Sequence, residues 1–170
     1  EPISQFSFLT YNFDIFLQST LYNNYTIGTG IRWDFVGLSE KIAVLGLEET
    51  KNTYAVYHAF LDFDSFNKSF KPTSGFILKS KFNLIANLTE NAVKNSSSVL
   101  AIQFTKAFAL SNRVGLNAGL DGAATIGATL DYPYNVFVGG LGQNYINFTF
   151  PFLGYRFTEL IGKNYAAVKI

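Results

Sequence analysis

The sequence predicts an all-β protein, a transmembrane antiparallel up-and-down β-barrel of which this chain is a partial barrel of about seven strands. Long runs alternate apolar and polar residues, which places the two kinds of side chain on opposite faces of a strand. The polar positions carry Thr, Asn, Gln, Gly and Asp rather than the Lys and Glu of a solvent-facing sheet. The chain is 48% hydrophobic and 15% charged. No apolar segment approaches the ~20 residues of a membrane-spanning helix, so a barrel is the remaining spanning structure.

The first two predicted strands, residues 5–21 and 25–37, show the alternation most clearly. Their apolar positions are odd-numbered and rich in aromatics: Leu9, Tyr11, Phe13, Ile15, Leu17, Leu21, Tyr25, Ile27, Ile31, Trp33 and Phe35. Because Asn tolerates left-handed backbone angles, we expect the tight turn at Asn23 and Asn24. An aromatic-rich face opposite a polar face is typical of a wall between lipid and an aqueous lumen.

Five further strands continue the pattern and are predicted at residues 52–64, 75–86, 98–110, 114–124 and 164–170. Pro72 and Gly75 indicate a turn between the third and fourth strands. Residues 37–51 carry several charges and are interpreted as an outer loop. Lys106 interrupts the apolar face of the fifth strand, and two explanations stay open: its side chain reaches a membrane interface, or the strand bulges there.

The predicted connections alternate between short and long, which is typical of outer-membrane barrels with short periplasmic turns and longer outer loops. The longest connection, residues 128–163, contains a glycine-rich motif at residues 139–142 and an aromatic-rich motif at residues 150–157. Loops of this length are usually functional or disordered. Its aromatic residues lead us to expect that it packs against another part of the protein, with the lumen as the candidate location.

Three segments resemble the inward-folded loop of the bacterial surface antigen superfamily: Phe137-Val138-Gly139-Gly140, then Phe152 to Phe157, then Glu159 to Asn164. The turn from Pro72 to Gly75 also resembles a periplasmic turn of that family. This superfamily includes the BamA-like barrels that assemble or translocate outer-membrane proteins. The resemblance implies that role for this chain, or a role as the membrane anchor of an attached periplasmic domain.

The same resemblance implies a loop motif that lies inside the barrel and consists of Gly139, Gly140, Phe152, Leu153, Gly154, Tyr155, Arg156 and Phe157. The family typically has Val-Arg-Gly-Phe or Val-Arg-Gly-Tyr at the loop tip, and Leu153 stands at the position of its Arg. In this respect the motif is closest to the C-terminal barrel of patatin-like outer-membrane phospholipases. Arg156, three residues later, is a candidate replacement for the family's Arg.

Four charged residues are predicted on the luminal face: Asp14, Arg32, Asp34 and Asp121. Two hypotheses stand near even: a salt-bridge network that binds Arg156 of the long connection, or separate hydrated wall charges. His58, the one His of the sequence, is expected to be a luminal or packing residue rather than a base or ligand.

No catalytic residue, metal site or cofactor is predicted on this segment. The sequence lacks a Gly-x-Ser-x-Gly nucleophile motif, so a hydrolase domain, if there is one, would lie outside these residues. The residues after Asp62 and Asp64 do not match a calcium-binding loop, and there are no Cys residues for a thiolate site.

The expected location is the outer membrane of a Gram-negative bacterium, as an integral protein in contact with the lipid bilayer. Other outer-membrane or periplasmic proteins are further candidate partners, whereas a net charge of +1 without a basic stripe argues against nucleic acid. Three alternatives remain: the barrel domain of a phospholipase, a porin-like diffusion channel and, least favoured, a soluble all-β binding domain. The absence of Met and of a signal peptide leads us to expect an internal segment of a longer protein.

Overall fold

The computed structural model describes residues 5–42, 50–89, 96–111, 114–127, 134–140, 149–151 and 160–170. In these residues one antiparallel sheet has seven strands: β1 (Gln5–Leu21), β2 (Tyr25–Ile42), β3 (Thr50–Asp64), β4 (Phe76–Asn87), β5 (Ser96–Ala109), β6 (Gly115–Gly127) and β10 (Asn164–Lys169). Each strand pairs with its neighbours in chain order, and β1 and β10 form the two edges of an open sheet. The prediction of an all-β, up-and-down partial barrel is confirmed. No helix in the described part of the chain is long and apolar enough to cross a membrane.

One face of the sheet, which we call the outer face, is covered with exposed apolar side chains. The strand register places Tyr25 opposite Phe63, Phe63 opposite Leu78, and Leu78 opposite Phe104. Leu17 keeps 79% of its surface exposed although it is fully apolar. A soluble protein rarely exposes a continuous apolar layer of this size, so the outer face is suited to contact with lipid.

The opposite face, which we call the inner face, is partly covered by the connection between β6 and β10. Three short strands lie in this connection: β7 (Val136–Val138), β8 (Thr149–Phe150) and β9 (Leu160–Gly162). They form a second sheet in the order β8-β7-β9, with β8 parallel and β9 antiparallel to β7. We call it the loop sheet. The buried core of the described residues lies between the loop sheet and the inner face.

The two ends of the large sheet differ in their connections. At the short-turn end lie residues 22–24, 65–75, 110–111 and 114, and at the long-connection end the chain leaves the sheet after β2, β4 and β6. Left-handed backbone angles occur at Tyr22 (φ 51°) and Asn23 (φ 57°) rather than at the predicted Asn23 and Asn24. The reason is that the Asn24 amide donates to the Leu21 carbonyl at 3.2 Å, which closes a four-residue turn with Tyr22 and Asn23 at its centre.

Both β2 and β3 extend into residues 37–51, which the sequence analysis interpreted as a loop. Glu40 of β2 pairs with Phe6 of β1, and Thr50 of β3 pairs with Leu38. Backbone hydrogen bonds hold these extensions, and they do not require the side-chain alternation on which the prediction depended. The register is continuous through Lys106, which lies between Phe76 and Ala118, so the alternative of a bulge there is wrong.

Candidate functional site at the inner wall

An apolar contact joins the loop sheet to the long-connection half of the inner face. The wall contributes Val36, Tyr54, Val56, Ile85, Val99 and Ala123, and the connection contributes Tyr134, Val136, Val138 and Phe150. Val56, Val99 and Tyr134 have no exposed surface. Since burying one Val or Ile side chain contributes about 1.5–3 kcal/mol, this cluster is large enough to hold the connection against the wall.

A polar contact, which we call the Tyr134 latch, lies at the edge of this cluster. The Arg32 guanidinium donates to both carboxylate oxygens of Asp34, from Nε to Oδ1 at 2.8 Å and from Nη2 to Oδ2 at 2.9 Å. The Tyr134 hydroxyl donates to Asp34 Oδ2 at 2.7 Å. Asp34 is 2% exposed, so its charge is stabilised by Arg32 and Tyr134 rather than by water.

The ring of Tyr134 is held as firmly as its hydroxyl. It packs edge-on against Tyr54, with ring centroids 4.8 Å apart and planes at 73°. Burial, together with the hydrogen bond to the Asp34 carboxylate, raises the pKa of Tyr134 above its ordinary value. The raised pKa keeps the Tyr134 hydroxyl protonated at neutral pH, where it donates to Asp34.

A second polar contact crosses one whole strand of the inner face. His58 Nε2 on β3 lies 2.9 Å from Asp14 Oδ1 on β1, and β2 runs between them. The crossing point is Gly30, where an added Cβ would lie 2.6 Å from the Ile15 carbonyl oxygen and 2.7 Å from His58 Nε2. Only a residue without a side chain leaves room for the pair to meet above β2.

The short-turn half of the inner face is polar and less covered. Asp62, Lys79, Gln103 and Asp121 occupy successive strands in one register row, and Asp121 pairs with Lys169 on β10. The inner face thus has a largely apolar part under the loop sheet, where Asn83 and Ser97 are also buried, and a more polar part toward the short turns. No cluster of His, Cys, Asp and Glu that could hold a metal occurs in the residues that the structure describes.

The four predicted luminal charges all lie on the inner face. Arg32 contacts Asp34, whereas Asp14 pairs with His58 and Asp121 with Lys169. Arg156 lies outside the described residues, so its predicted contact with these charges stays a prediction. Within the described chain, the partner of Asp34 from the long connection is Tyr134.

The structure describes only part of the predicted loop motif. Gly139 and Gly140 adopt positive φ angles of 130° and 78°, and the Gly139 amide donates to the Phe150 carbonyl at 3.0 Å. These angles favour glycine because it lacks a Cβ. The remaining predicted residues lie outside the described ranges: Phe152, Leu153, Gly154, Tyr155, Arg156 and Phe157.

Sequence reasoning did not single out Tyr134, Tyr54 or Lys169. Tyr54 interrupted the polar face of its strand, and that irregularity was the available signal that something apolar covers the inner face there. Tyr134 belongs to a connection without strand periodicity, and no pattern around it indicates a contact with Asp34. Its role depends on the path of the connection through space.

An antiparallel sheet with a lipid-suited outer face, and an inner face covered by its own long connection, defines a transmembrane β-barrel with an internal loop. In the comparisons with known proteins, the family model described as the OMP85 superfamily matches residues 5–170. The chain therefore belongs to the OMP85 superfamily, whose members are outer-membrane β-barrel proteins, and the resemblance to surface-antigen barrels is confirmed. No curated protein and no solved structure matches this chain. The closer likeness to patatin-linked barrels receives no support from these comparisons.

Proposed function

We propose that this barrel assembles or translocates polypeptides at the outer membrane, and that its long connection acts as an internal gate. The observation that carries the proposal is the packing of the loop sheet on the inner wall, where Tyr134 and Asp34 form a buried hydrogen bond. A passive channel needs an open aqueous path, and here the loop sheet covers part of the inner face with apolar side chains.

The contact is suited to reversible opening. Among the described residues, one hydroxyl, one carboxylate and a set of aliphatic and aromatic side chains hold it, and the sequence has no Cys for a covalent link. The polar half of the inner face supplies donors and acceptors toward the short-turn end, which is the periplasmic end in outer-membrane barrels. A polypeptide arriving from the periplasm would meet this polar half first, and the latched connection would separate it from the cell exterior.

The mechanism requires no bond chemistry. A barrel whose strands separate at a seam can pair with an extended polypeptide through main-chain hydrogen bonds, a recognised mode of binding. The wall residues of the latch would control whether the lumen is closed during that process, because Asp34 on β2 and Tyr134 on the connection share one hydrogen bond.

The test is the folding of a β-barrel client in the presence of this protein. The full-length protein is reconstituted in liposomes, an urea-unfolded outer-membrane barrel is added, and client folding is followed by its heat-modifiable gel mobility. We expect folding several-fold faster than in empty liposomes, and a further increase for Tyr134→Phe, because loss of the hydrogen bond to Asp34 lets the gate open more often. Tyr11→Phe, the same change at an exposed position of the outer face, is the matched control.

Equal client folding in loaded and empty liposomes would refute the assembly role and leave the barrel as an anchor for an attached periplasmic domain. Planar-bilayer recordings address the channel alternative. A large steady conductance of the wild type, unchanged in Tyr134→Phe, would indicate a porin-like pore and overturn the gate.

A further inference from the structure

A row of aromatic rings crosses four strands at the short-turn end of the outer face. Tyr25 and Phe63 have ring centroids 4.4 Å apart, Phe63 and Phe76 4.8 Å, and Phe76 and Phe104 5.7 Å. Tyr25 and Phe76 are the first residues of their strands. Aromatic rows at strand ends are typical of the boundary between acyl chains and lipid headgroups. The row therefore indicates the level of one membrane interface.

A lysine lies within this row. Lys106 is the one charged residue among the outward positions of β4, β5 and β6, all of which are described. Its register partner on β4 is Phe76. A lysine on the lipid face costs about 2–4 kcal/mol at the middle of the bilayer but only about 0–1 kcal/mol near an interface. Because Lys106 lies beside the aromatic row, at the level of the interface, its charge carries the smaller cost.

The Lys106 side chain points toward the headgroup side of the row. Its Nζ lies 5.1 Å from the ring centroid of Phe108, which is two residues closer to the short turn and also faces outward. No carboxylate lies within salt-bridge distance of Lys106 in the described part of the chain. The ammonium thus lies on the short-turn side of the aromatic row, beside the Phe108 ring and, among the described residues, without a carboxylate partner.

We propose that Lys106, together with Phe76 and Phe108, binds the headgroup of an anionic glycerophospholipid in the membrane leaflet at the short-turn end. The lipid phosphate supplies the negative charge that the protein does not, and the two rings contact the glycerol and upper acyl region. This site lies on the opposite face of the sheet from the Tyr134 latch. The proposal requires that the protein spans a membrane, and it does not depend on the proposed assembly role.

The experiment measures lipid preference in detergent solution. The full-length protein is incubated with equal amounts of phosphatidylglycerol and phosphatidylcholine, and the lipids that stay bound are counted by native mass spectrometry. For Lys106→Gln we expect the ratio of bound phosphatidylglycerol to phosphatidylcholine to fall about fivefold, which corresponds to about 1 kcal/mol. Lys106→Arg keeps the charge and should keep the ratio.

The matched control is Lys79→Gln, which removes the same charge from the inner face toward the same end of the sheet. An equal loss of phosphatidylglycerol in Lys79→Gln and Lys106→Gln would overturn the site, as would an unchanged ratio in Lys106→Gln. If the variant does not fold, the salt dependence of the phosphatidylglycerol preference can be measured on the wild-type protein. Added salt screens an ammonium–phosphate contact, so a preference for phosphatidylglycerol that is absent, or that salt does not reduce, would also refute the proposal.

Discussion

The sharpest test of the latch is the substitution Tyr134→Phe, which removes one oxygen atom and keeps the ring that packs on Tyr54. The lost hydrogen bond joins the Tyr134 hydroxyl to the Asp34 carboxylate at 2.7 Å. Hydrogen bonds to charged groups contribute about 1.5–3 kcal/mol. Asp34 keeps its two bonds from Arg32, so no unpaired charge is created. If the docked and released states of the connection exchange, the released fraction should rise about 10- to 100-fold.

Thiol labelling can measure that released fraction. The sequence contains no Cys, so Val138→Cys introduces one thiol on β7, at a position that is 7% exposed when the loop sheet is docked. Reaction with a water-soluble maleimide then reports how often the connection leaves the wall. We expect labelling about 10- to 100-fold faster when Tyr134→Phe is added, and no change with Tyr11→Phe. Equal labelling rates with and without Tyr134→Phe would show that the latch does not hold the connection.

Three further experiments, two of them with a paired control substitution, test the wall itself. Gly30→Ala should prevent folding or lower the unfolding temperature sharply, because its Cβ would lie 2.6 Å from a carbonyl oxygen, whereas Gly37→Ala, with its nearest atoms at 3.9 Å, should be tolerated. Ile31→Arg places a charge on the outer face near the middle of the bilayer and should make folding into liposomes less favourable by about 2–4 kcal/mol. Tyr25→Arg, at the end of β2 near the membrane interface, should cost only about 0–1 kcal/mol. Equal effects of the two substitutions would contradict this placement of the bilayer. Val56→Ala should lower the free energy of unfolding by about 2 kcal/mol, measured in urea, because two buried methyl groups are lost.

The faces of the strands were predictable because the alternation of side chains is a local property of an extended backbone. Tyr11, Phe13 and Trp33 had to share one face as soon as their segments were strands, and Asp14 and Arg32 had to share the other. The choice of residues on the polar face also indicated a lumen rather than bulk solvent. Family membership followed from motifs in the long connection, which the match over residues 5–170 confirms.

The sequence by itself determined an all-β, membrane-type sheet, its order of strands and the two faces of each strand. The tertiary structure decided which charges meet, because that depends on strand register and on the path of the long connection. Asp14 reaches His58 only because β1, β2 and β3 align with Gly30 between them. Asp34 receives Tyr134, 100 residues away in the chain, only because the connection folds back onto the inner face. A periodic pattern predicts which face of its own strand each side chain occupies, because it depends only on neighbouring residues in the chain. It does not predict contacts between segments that are distant in the chain.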